Sequence, residues 1–201
     1  MSTSSSSKKR PYRMSARAKA AAATRERLLA AAWQHFASRP YEDARLQEIA
    51  AAAGVTAQTL HTQFGSKDQL LTAAYVWFGQ HEISQRDMAP VGDIKQAIKV
   101  LFDRYEAHGK AVLRMVSQED RIPAIAQMTE AGRAYHSVWT AKTFAPLLRG
   151  LRGASRERRL AAIVIATDLL VWKLLRQDMQ LDRDSAEQII AEMVQSSPPA
   201  R

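Results

Sequence analysis

Residues 45–64 leave the chain few ways to fold. A short run of helix formers, 45–53, ends at Gly54, a residue free to take the left-handed backbone that a tight turn needs. Thr56 stands at the capping position of a second short helix, 57–64. Ile49, Ala53, Val55, Leu60 and Phe64 fall where two such helices pack, and Ala50 supplies a small contact where they cross. Ala57, Gln58, Thr59, His61, Thr62 and Gln63 are left around the outside. Two short helices joined by a glycine turn make a helix-turn-helix, whose second helix enters the major groove of DNA by its N-terminal residues.

The flanking sequence suits that motif. An earlier helix is expected over 17–38, with Leu28, Leu29, Ala32, Trp33 and Phe36 on one face. Pro40 ends it, and Asp43 is expected to cap the next helix. Ser66 and Gln69 form a capping box that opens a fourth helix. Beyond it apolar residues recur at three and four, with glycine and proline as punctuation and no strand pattern. The expected fold is all-α: an N-terminal three-helix helix-turn-helix domain over 16–71, then a helical effector-binding and dimerisation domain over 72–196. Residues 1–15 read as a disordered basic arm and 197–201 as a tail.

Charge points to the same partner. The chain carries +9 overall, yet eight basic residues against the single acid Glu26 put +7 within its first 27 positions. Such an arm suits an anionic polymer, because each phosphate neutralised releases a counterion; a basic tail that only solubilises the chain is the alternative. Among the outer residues of the third helix, Gln58 is the best base reader, since its amide pairs bidentately with adenine. Free N–H groups near Thr56 suit a phosphate.

The motif resembles that of the TetR family of bacterial regulators. The likeness runs from about residue 22 to 71 and rests on Leu28 to Phe36, Tyr41, Leu46-Gln-Glu-Ile-Ala50, Gly54 to Lys67, and Leu70-Leu71. By position it implies phosphate or base contacts from Arg45, Thr56, Gln58, Thr59, His61 and Lys67, with Ala57 and Thr62 on the same surface. Four features depart from the family pattern. Pro40 replaces a usual glycine, Ala44-Arg45 a hydroxyl pair, His61 a phosphate-contacting tyrosine and Gln63 a frequent histidine. The resemblance further implies a homodimer formed by the last two helices, a near-palindromic double-stranded operator, and repression relieved by a small effector.

The residues carry part of this independently. From about Leu160 to Leu175 almost no polar face remains, and a helix apolar all round is buried on two sides. One side fits a partner subunit, with Leu169, Trp172, Leu175, Ile189 and Met193 as candidate contacts; the central helix of a monomeric bundle is the alternative. A single short reading helix contacts few bases, which favours a two-fold dimer. Phe102, Tyr105, Met115, Met128, Tyr135 and Trp139 are candidates for an apolar effector pocket, the alternative being ordinary core. His108 and His136 lack a second metal-ligating residue at helical spacing and read as polar core or surface.

No phosphate loop, metalloprotease motif or nucleophile elbow is present, and the chain has no cysteine, so neither an enzyme nor a cofactor or metal site is expected. No membrane association or leader is expected either, which points to the cytoplasm. A DNA-binding protein governed by a protein partner instead of a small effector remains the competing function.

Overall fold

The computed structural model describes residues 9–195; of 9–15 and His81 it describes the backbone alone. Residues 1–8 of the expected arm and the expected tail lie outside that range. Contacts divide the chain into two compact units, Met1–Phe78 and Gly79–Arg201.

The first unit opens with α1, Lys9–Ser38. It takes in positions the sequence assigned to the arm, because the alanine run before Thr24 and its Arg, Lys and Met neighbours are strong helix formers. Pro11 is tolerated in the first turn, where its missing N–H has no partner to lose. Asp43 does not cap the next helix: its N–H bonds to the Pro40 carbonyl at 3.2 Å, and Ala44 N–H to Tyr41 at 3.2 Å, so it lies inside the turn. Arg45 takes the capping position of α2, Leu46–Ala52, without a side-chain cap. Then come α3, Ala57–Phe64, and α4, Lys67–Arg86. The Ser66–Gln69 box forms as expected, Gln69 N–H donating to Ser66 Oγ at 3.1 Å and Ser66 N–H to Gln69 Oε1 at 3.0 Å.

Leu28, Ala32, Phe36, Ile49, Ala50, Leu60, Leu70 and Leu71 fill the core of this unit. Each large apolar side chain so placed contributes about 1.5–3 kcal/mol. Trp33 stacks on Phe78 at 3.9 Å and 14°. The first unit runs to Phe78.

The second unit contains α5, Ile94–Val116, and α6, Pro123–Thr143, followed by a 3-10 turn, Ala145–Leu148. Next are α7, Gly153–Ala166, α8, Leu169–Lys173, and α9, Arg183–Gln195. A π turn, Leu174–Asp178, prolongs α8, with Met179 N–H reaching the Leu174 carbonyl at 2.9 Å. The apolar stretch expected as one helix is therefore two. Thr167 breaks it, and Asp168 caps α8 by accepting from Leu170 N–H at 2.8 Å. Gly109 lies inside α5, where a Cβ would stand 2.6 Å from the Trp172 ring. Its absence lets the two helices approach. Ile98, Leu101, Phe102, Trp139, Phe144, Ile163, Trp172 and Ile190 are buried together around that contact. Among the described residues there is no strand, and no helix is long and apolar enough to cross a membrane.

Candidate nucleic-acid interface

Backbone bonding fixes the turn between α2 and α3. Val55 N–H reaches the Ala50 carbonyl at 3.0 Å and Gly54 N–H the Ala51 carbonyl at 3.0 Å, while Gly54 sits at φ +70°. This is the paired bonding of a Schellman ending, which only a residue at ease in the left-handed region closes without strain. Arg27 adds a brace from α1, its Nε–H donating to the Ala53 carbonyl at 3.3 Å. At the other end of α2, Arg39 pairs with Glu48 at 2.7 Å. Neither arginine was singled out from the sequence, because both partners become neighbours only on folding.

Thr56 caps α3 as expected, accepting from Thr59 N–H at 3.1 Å, and its hydroxyl lies 2.9 Å from that of Thr59. Thr62 donates its hydroxyl to the Gln58 carbonyl at 2.8 Å, so it has only acceptor capacity left for a ligand. Ala57, Gln58, His61 and Thr62 are exposed, Thr59 is half-buried, and Leu60 and Phe64 face the core. The Gln58 amide spends nothing on the protein itself. The residue is exposed to solvent.

The flanking cations differ from each other. Arg45 is exposed. Lys67 is half-buried, with Nζ 4.3 Å above the Tyr41 ring and donating to the Glu42 carbonyl at 3.3 Å. Burial lowers its pKa, while Glu42, Asp43 and Asp68 oppose that shift. Tyr41 in turn donates to Asp68 and stacks on Phe36. The Lys67 charge is thus held at a fixed place beside the motif.

In the second unit the candidate pocket residues separate. Phe102 and Trp139 are buried in the main core, with Tyr105 and Tyr135 packed against it, while Met115 and Met128 are buried outside that cluster. The Tyr105 hydroxyl is committed, donating to the Thr167 carbonyl at 2.9 Å where α7 ends, and burial pushes its pKa up to about 12. It has no proton to spare for a ligand. Of the candidate subunit contacts, Trp172 and Leu175 point into the core of their own unit. Leu169 and Ile189 are half-buried against it, and Met193 is exposed. Ile165, Leu170 and Leu174, 62%, 57% and 49% exposed, are further outward apolar positions. The break at Thr167 rotates the face that a single helix would have shown.

His136 forms a node in this unit. Arg86 Nη2 lies 2.7 Å from His136 Nδ1, and since a guanidinium has no acceptor, Nδ1 must accept. The remaining proton is then on Nε2, 3.2 Å from Thr167 Oγ1. Burial first, and the Arg86 charge second, push the imidazole pKa down to about 4. His108 meets Glu82 at 3.4 Å, and Glu82 also binds Arg104 through Nε at 2.7 Å.

An N-terminal helix-turn-helix, with an unspent polar face on its second helix, followed by a separate helical unit, defines a DNA-binding regulator. Residues 28–74 match the family model of bacterial regulatory proteins, tetR family. Residues 28–74 thus form a DNA-binding domain of the tetR type within this chain. The fold is shared with a transcriptional regulator from Rhodococcus sp. Rha1 at TM-score 0.65 and 18% identity, over 84% of this chain and 92% of that one. It is shared too with a Rhodococcus sp. protein assigned to the TetR family, at TM-score 0.64 and 18% identity, over 86% and 97% of the two chains. A Pseudomonas aeruginosa PAO1 protein described as a transcriptional regulator has TM-score 0.64 and 17% identity, over 84% and 87%. The search of curated proteins gave no match.

Proposed function

We propose that this regulator is a homodimeric repressor that reads a near-palindromic operator through α3 and releases it when the helical unit takes a small hydrophobic effector. The observation that carries the operator contact is the exposed Gln58 amide, unspent on a helix whose other polar groups are partly committed to caps and backbone. Gln58 reads a base, and Ala57 and Thr59 pack against neighbouring base edges. Thr56, His61 and Thr62 meet bases or phosphates, and Arg45 and Lys67 hold phosphates on either side.

Dimerisation is supported by the short reach of one reading helix and by apolar side chains turned outward near the end of the chain. Ile165, Leu170, Leu174 and Met193 are all more than a third exposed. The test is gel retardation of the DNA upstream of the protein's own gene and its neighbours, with sedimentation to count chains per complex. A retarded band holding two chains, or a multiple of two, per site is expected. No retardation at low salt, or one chain per site, overturns this function. An effector is sought by thermal melting against small apolar compounds, followed by loss of the retarded band.

A further inference from the structure

Arg86, the last residue of α4, is an unusual cation. Its guanidinium carbon lies 4.5 Å from the Trp139 ring centroid and 5.2 Å from that of Tyr135. Among the described residues no carboxylate pairs with it; its one hydrogen-bonded side-chain partner there is the neutral His136. Its Nε is buried with no partner. On α6, the helix that supplies those two rings, the Tyr135 hydroxyl and Thr140 Oγ1 are both buried and unpartnered. Thr140 is 0% exposed and stands one turn after His136. A buried donor left unsatisfied is costly, and more so when it is charged, so three such groups on two neighbouring elements call for a polar guest.

The charge of that guest follows from the donors. A guanidinium edge and two hydroxyls match the two oxygens of a carboxylate; Asp87 and Glu82 lie near enough to act on Tyr135, but among the described residues no carboxylate is hydrogen-bonded to any of the three. The surroundings are apolar: Trp139 lies against the guanidinium and meets Phe144 edge-on at 6.0 Å. We propose that the effector is a small organic acid with an apolar body, held through its carboxylate by Arg86 with Tyr135 and Thr140. This rests on the effector-controlled function above and names the chemistry of its ligand.

The test uses the full chain at pH 7.5 with benzoate, phenylacetate and octanoate, each beside its uncharged primary amide. Melting temperature, calorimetric affinity and release of a retarded DNA fragment are read together. At least one acid is expected to raise the melting temperature and release DNA, with its amide bound about ten- to a hundredfold more weakly, as fits one lost charge-assisted contact. Arg86→Gln should erase the preference for the acid. If Arg86→Gln folds poorly, Arg86→Lys keeps the charge without the planar fork and should still weaken the acid by about tenfold. Tyr135→Phe should weaken the acid while leaving the ligand-free melting temperature unchanged or higher, which a merely structural hydroxyl would not do. Acids and amides binding alike, or full acid affinity in both Arg86 variants, overturns the carboxylate. If amides release DNA as well as acids do, the effector-controlled function stands and the carboxylate falls. If none of the six probes binds, the carboxylate falls as stated, and a wider uncharged apolar library then decides whether effector control falls with it.

Discussion

Two side chains carry most of what can be tested one residue at a time. The exposure of Gln58 was legible in the sequence, because a polar residue near the start of a short capped helix has few structural duties. Gln58→Ala should cost about 1–3 kcal/mol of discrimination at one base pair per half-site and leave affinity for random DNA unchanged. Binding to a randomised operator library checks it, and an unaltered preference profile removes Gln58 from the reading set. His136 was not legible as more than a polar core residue, since its partners come from α4 and α7. Its folded pKa of about 4 lies below the unfolded value, so the folded state favours the neutral ring. The stability this gives is present above the unfolded pKa near 6.5 and is lost as pH falls toward the folded value. Burial shifts His108 in the same direction, so the comparison must be made within one background. From pH 7 to pH 5, the Gly79–Arg201 unit should lose on the order of 2 kcal/mol through His136. His136→Gln, which keeps an acceptor for Arg86, should lose much less. Equal losses in urea unfolding would remove the histidine from this role.

At the scale of elements, most signals that close within a few residues were read correctly, the expected Asp43 cap being the exception. The Thr56 cap, the Gly54 ending and the Ser66–Gln69 box each close within a few residues. Elements whose limits depend on distant partners were misread. The break at Thr167 is hidden in an unbroken apolar run, and it is stabilised by a hydroxyl from Tyr105 on another helix. The start of α1 depends on alanine propagation that outweighs a Ser-rich, basic composition. Gly109 is the sharpest case, because in sequence it looks like punctuation and in the fold it is a contact. Alanine there gains about 1 kcal/mol of helix propensity. Against this, its Cβ would lie 2.6 Å from one Trp172 ring atom and 2.8 Å from another, in a core with no room to yield. Overpacking of that kind costs about 1–3 kcal/mol or more, so the clash wins. Gly109→Ala should lower the melting temperature of the second unit, and pairing it with Trp172→Leu should recover much of the loss. A single variant as stable as the native chain would mean that α5 and α8 separate easily.

For the whole molecule the decisive quantity is where its charge resides. Of a net +9, +7 lies before residue 28, while the remainder of the chain is close to balanced. The helix proposed to read the groove contributes no permanent cation, since α3 holds only His61 among its basic residues. Sequence preference and electrostatic affinity are thereby assigned to different stretches of chain, and they should come apart in experiment. Deleting residues 1–14 removes Lys8, Lys9, Arg10 and Arg13. Each of these that touches a phosphate should take about 0.9 from the slope of log affinity against log salt. Specific and random DNA should therefore weaken together, most strongly at low salt, with the ratio between them nearly constant. Fluorescence anisotropy titrations at several salt concentrations, on operator and scrambled duplexes, measure both quantities at once. If the ratio collapses while the slope holds, the N-terminal stretch reads bases in its own right and the division of labour between α3 and the arm is wrong. If slope and ratio both stay fixed, the basic stretch serves something other than DNA.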